Sequence, residues 1–115
     1  MKIILTIVIL LLRPSVCLAC DNATESYFSS ANLKVFPERV YDPIDKAEAE
    51  RREKAGKAYY IQLVCDSGDV LMLTKRYQKK ILFQFDYLDN ADGIYGKLIT
   101  DANGKVSEYD SRKKP

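Results

Sequence analysis

The sequence predicts an α+β domain in which one N-terminal helix packs beside an antiparallel meander of about five strands. Three observations point there. A capped, charge-rich stretch occupies residues 42–56, strand-length apolar runs begin at residue 58, and turn-forming residues separate those runs at regular intervals. With 115 residues in all, the chain has room for one such domain.

The first element in order is a leader. Lys2 precedes an unbroken apolar run from Ile3 to Leu12, apart from Thr6. A bilayer span needs about 20 apolar residues, so this run reads as the core of a secretory signal rather than an anchor. Arg13 and Pro14 close it, and Cys17-Leu18-Ala19 places small residues at the −3 and −1 positions of a cut after Ala19. Residues 1–19 are therefore expected to be removed, and the mature chain to be exported to the periplasm, the cell envelope or the medium. Taking Lys2 and Arg13 from the 18 basic residues leaves 16, against 16 Asp and Glu, so the mature net charge is near zero. Neither that balance nor the compartment suggests nucleic acid as a partner.

Cleavage makes Cys20 the first mature residue and leaves Cys65 as the other cysteine. Two chemistries fit. Leu18-Ala19-Cys20 offers a cysteine directly after a small residue, as lipoprotein maturation requires, although Cys17 stands where such sites carry an aliphatic residue. Alternatively, Cys20 and Cys65 form a disulfide, which an exported compartment permits; a free or intermolecular thiol is the remaining alternative.

Residues 20–41 read as a polar, flexible lead ending in a short edge strand, Leu33-Lys34-Val35-Phe36, that Pro37 stops. Asn22-Ala23-Thr24 fits a glycosylation sequon, a weak three-residue pattern. The domain proper is expected over 42–110, with a basic tail at 111–115. Asp42 is placed to cap a helix, Pro43 suits its first position, and Asp45 sits where a capping acid belongs. The helix should run to Ala55 and stop at Gly56. Glu48 with Arg52, Glu50 with Lys54 and Glu53 with Lys57 are spaced as i,i+4 pairs, so this is a largely solvated helix.

The strands follow: Tyr59–Cys65, Val70–Arg76, Ile81–Leu88, Ile94–Thr100 and Lys105–Asp110, joined by turns at 66–69, 77–80, 89–93 and 101–104. Four-residue turns set Leu63 opposite Met72 and Met72 opposite Phe85. In that register Tyr59, Ile61, Leu63, Met72, Phe83, Phe85 and Tyr87 share the core face. Lys97 falls opposite Glu108. The second face carries Val64, Leu71, Leu73, Leu82 and Leu88, more apolar than a solvated face needs. It is either covered by the segment 27–41 or is a partner surface.

The available chemistry narrows the function. Histidine is absent from the chain, which removes the commonest general base and transition-metal ligand. Two mature cysteines cannot build a zinc knuckle, no glycine-rich phosphate loop exists, and Asp89-Asn90-Ala91-Asp92-Gly93 fails the calcium-loop template at its first and twelfth positions. No catalytic residue, metal site or small-molecule cofactor is expected. Alternate turns of a meander share an end, so Asp66, Asp69, Asp89 and Asp92 gather at one end. Lys75, Arg76, Lys79 and Lys80 gather at the other, a candidate contact for an anionic surface. The reading is a small, non-catalytic, exported binding protein, inhibitor-like or immunity-like. Its partner is a protein or an anionic membrane surface. The alternative is a structural membrane-anchored lipoprotein.

Overall fold

The computed structural model describes residues 20–113; residues 1–19, where the leader is expected, and the last two residues lie outside it. It is a single antiparallel sheet of seven strands with one short helix. In chain order these are β1 (Ala23–Asn32), β2 (Arg39–Ile44), helix α1 (Lys46–Ala55), β3 (Tyr59–Cys65), β4 (Val70–Tyr77), β5 (Lys80–Asn90), β6 (Gly93–Asp101) and β7 (Val106–Asp110). Across the sheet the order is β2-β1-β3-β4-β5-β6-β7. The expected helix beside a five-strand meander is therefore corrected: two strands precede the helix, and strand dominates the molecule.

Both added strands lie where the composition argues against strand. Residues 23–32, read as a flexible lead, form β1 and sit inside the sheet between β2 and β3, with Ser26 opposite Gln62 and Phe28 opposite Tyr60. Their polar side chains belong to a strand whose backbone is paired on both sides, so tertiary pairing overrides local propensity. Leu33–Phe36, the expected edge strand, is instead the connection from β1 to β2. Asp42 and Pro43 are part of β2, an edge strand where a missing N–H costs no ladder bond. Asp45 caps the helix in place of Asp42, accepting a hydrogen bond from the Glu48 backbone N–H at 2.7 Å. Gly56, at φ 70°, ends it with the left-handed turn that the sequence predicts.

The register also differs from expectation, for one local reason. Leu63 faces Met72 and Arg76 faces Ile81, as four-residue spacing requires, but a bulge at Lys75/Arg76 makes Leu82 an extra residue of β5. Beyond it Leu73, not Met72, stands opposite Phe85. One inserted residue turns Phe83, Phe85 and Tyr87 to the other side of the sheet. The β6–β7 turn is likewise one residue longer than expected, so Lys97 faces Tyr109 and Leu98 faces Glu108.

The core consequently lies on the face of Tyr60, Leu73 and Phe85, where Phe28, Val40, Phe83, Tyr87 and Ile99 pack against them. The β1–β2 connection folds across this face. Phe36 meets the Tyr109 ring edge-on at 5.0 Å and lies 6.4 Å from Tyr87. The loop therefore ties one side of the sheet to the other. The opposite face carries Ile61, Leu63, Met72 and Thr74, with α1 held against one end of it.

Candidate functional site

Three constellations stand out, and the disulfide comes first. Cys20 and Cys65 are joined, with Cα atoms 5.5 Å apart, and Ala23 lies opposite Cys65 where β1 pairs with β3. The Asp66 carboxylate lies close to both sulfurs, but a disulfide has no thiolate to lend a metal. The bond is compatible with an oxidising, exported compartment. Among the described residues no helix is long and apolar enough to cross a membrane.

The second constellation is built around Glu53, near the end of α1. Its carboxylate accepts from the Tyr59 hydroxyl at 3.0 Å, from the Arg76 guanidinium at 3.1 Å and from the Lys79 backbone N–H. Burial pushes the Glu53 carboxyl up, but these three donors outweigh it and hold the group below its ordinary value. Burial, and then the bond to Glu53, raises the Tyr59 phenol. The expected pair of Glu53 with Lys57 is replaced by this pair with Arg76.

Beside it, on the face α1 leaves uncovered, runs a groove. A depression of about 230 Å³ has a floor of Ile61, Leu63, Met72 and Ile81, with Glu25, Arg76 and Gln84 at its margins. Arg76, Ile81 and Gln84 also line a second depression of about 510 Å³ that reaches Lys79 and Lys80, so the two adjoin. Together they make one track, apolar over the first depression, with Lys79, Lys80 and Asp101 along the second.

The third constellation is on the core face. Glu38 and Lys97 are buried together, and the Lys97 ammonium pairs with Glu38 Oε2. The Tyr87 hydroxyl donates to Glu38 Oε1 at 2.8 Å, and burial, then this bond, drives the Tyr87 phenol far above its ordinary value. Three rings surround the Lys97 nitrogen, with centroids at 3.7 Å for Phe85, 5.7 Å for Phe36 and 5.8 Å for Tyr109.

The residues singled out from sequence fall into different places. Of the four cations, Lys75 lies with its nitrogen 5.4 Å from the Tyr60 ring centroid, and Arg76 is committed to Glu53. Lys79, in the β4–β5 turn, and Lys80, the first residue of β5, are exposed. The five apolar residues do not form one exposed face. Leu73 is 1 % exposed and central to the core, whereas Val64, Leu71, Leu82 and Leu88 are half-buried. Leu71 and Leu82 are the extra residues of two bulges, and alternation puts Leu88 on the side opposite Leu73. Glu38 and Lys97 went unpredicted: Tyr95-Gly96-Lys97-Leu98-Ile99 does not alternate, so nothing in it marks Lys97 as a core-face residue.

No family model, curated protein or solved structure matches the chain. The functional reading therefore rests on the geometry itself.

Proposed function

We propose that the mature chain is a small exported binding protein without catalytic activity, inhibitor-like or immunity-like in kind. Its partner presents an apolar segment bordered by acidic groups. The groove carries this reading. An apolar floor of Ile61, Leu63, Met72 and Ile81 supplies area to desolvate, and the exposed Lys79 and Lys80 supply a cationic rim. An apolar centre with a charged margin is the ordinary anatomy of a protein interface, and rim cations chiefly steer the encounter. The absence of histidine from the sequence supports the non-catalytic half of the proposal.

The structural lipoprotein reading has less support. Lipid attachment consumes the Cys20 sulfur, and that sulfur is bonded to Cys65. An anionic membrane surface remains the other class of partner for Lys79 and Lys80.

The test immobilises mature protein and compares it with Met72→Glu and with Lys79→Gln/Lys80→Gln. Each is exposed to the envelope and secreted fractions of its own cell and to vesicles rich in anionic lipid. The proposal expects one defined protein retained in stoichiometric amount by the wild type and released by Met72→Glu. Identical retention by wild type and Met72→Glu removes the groove as the binding surface. Binding of vesicles alone, lost in the double lysine variant, makes the membrane the partner.

A further inference from the structure

We propose that Lys97 and Glu38 condense into an intramolecular isopeptide bond that joins the β1–β2 connection covalently to β6. The two residues are separated by 59 positions and are brought together only by the fold. Their side chains are 11 % and 3 % exposed, in direct contact through Lys97 Nζ and Glu38 Oε2. Such contact within a rigid frame replaces a bimolecular amidation with a unimolecular one, where effective molarities reach about 10⁵–10⁸ M.

The surroundings favour the reaction. Phe36, Phe85 and Tyr109 flank the nitrogen, and both groups keep little contact with water. Moving one proton along the Lys97–Glu38 hydrogen bond gives a neutral amine and a neutral carboxylic acid. An apolar surround lowers the cost of removing both charges relative to water. The amine lone pair then attacks Glu38 Cδ. Oxyanion charge develops on Oε1, where the Tyr87 hydroxyl already donates at 2.8 Å. The second proton leaves nitrogen with the departing hydroxyl. A Cδ–O bond is broken, a Cδ–N bond is formed and one water is released; nothing is oxidised or reduced. A depression of about 300 Å³, lined in part by Glu38, Lys97, Ile99 and Tyr109, opens beside the pair and gives that water a way out.

Mass spectrometry of the purified, reduced and denatured mature chain is the test, with Lys97→Arg as the control that keeps the cation but not the primary amine. The wild type is expected to weigh one water less than the linear, unmodified mature chain. After tryptic digestion its Glu38 and Lys97 peptides should appear as one branched species, with no cleavage after Lys97. Lys97→Arg should show the full mass and separate peptides. A wild type of full mass that is cleaved after Lys97 holds only an ion pair and overturns the proposal. A water lost elsewhere, as by succinimide formation at Asp92-Gly93, leaves Lys97 cleavable and persists in Lys97→Arg, and it also overturns the proposal.

Discussion

Glu53 accepts from a helix-proximal tyrosine, a β4 arginine and the backbone of the β4–β5 turn, so one carboxylate holds three elements in register. Hydrogen bonds to a charged group contribute about 1.5–3 kcal/mol, and Glu53→Ala should cost about 2–3 kcal/mol in urea unfolding at neutral pH. The folded-state pKa is depressed, so this contribution is present above the unfolded value of about 4.3 and is lost as pH falls through the lower folded value. The wild type should therefore lose stability relative to Glu53→Gln on acidification below about pH 4.3; a constant gap down to pH 2 would show that Glu53 is not held by these donors. At Gly96 the constraint is steric. A Cβ there would meet the Tyr109 carbonyl oxygen at 2.4 Å, a backbone atom of the paired strand. Gly96→Ala should destabilise by about 1–3 kcal/mol, the usual cost of overpacking, read by the same unfolding curves. The role of Gly96 is invisible in sequence, because the β6–β7 pairing that crowds it depends on a turn one residue longer than the residues 101–104 imply. Glu38 and Lys97 were hidden for a related reason: each is an ordinary surface residue until the loop crosses the core face.

Strand segments from Tyr59 onward are legible because apolar runs and turn residues alternate there, while β1 and β2 are not. β1 has no apolar periodicity to read; its Ser, Thr and Glu side chains gain strand structure only from neighbours on both sides. β2 ends in Asp42-Pro43-Ile44, which reads in sequence as a helix start, but the capping chemistry begins three residues later, at Asp45, just beyond the strand. Bulges are the harder loss. Nothing in Ile81-Leu82-Phe83 announces that Leu82 is the inserted residue, yet it decides which face Phe85 takes and so which groove residues stay uncovered. The β4–β5 turn makes an element-scale prediction. Gln78 and Lys79 both adopt positive φ, 51° and 64°, as a two-residue hairpin turn of type I′ demands. Asparagine and glycine tolerate that region far better, so Gln78→Asn/Lys79→Gly should raise stability by about 1 kcal/mol. The Lys79 backbone N–H still reaches Glu53 in this variant. An unchanged or lower midpoint would mean the turn is not strained at these positions.

For the molecule as a whole, two links act besides the strand ladders: the β1–β2 loop across the core face, and the disulfide that ties the residues ahead of β1 to the end of β3. Cys20 and Cys65 close a loop of sequence separation 45. In the chain-entropy model that constraint contributes about 4 kcal/mol, a large part of the ~5–15 kcal/mol of a whole domain. Reduction, or Cys65→Ala, should therefore lower the melting temperature by many degrees, and a shift of only a degree or two would show that β1 holds its place without the bond. The pairing of Cys20 with Cys65 was one of two chemistries the sequence leaves open, and only the alignment of Ala23 with Cys65 across β1 and β3 selects between them. That same alignment is the step from a five-strand meander to a seven-strand sheet. The most direct measurement is accordingly a non-reduced peptide map of the protein recovered from the compartment in which it accumulates. The structure predicts that the peptide containing Cys20 is linked to the peptide containing Cys65, with no free thiol at either. A diacylglyceryl group on Cys20, or two free thiols, would contradict it.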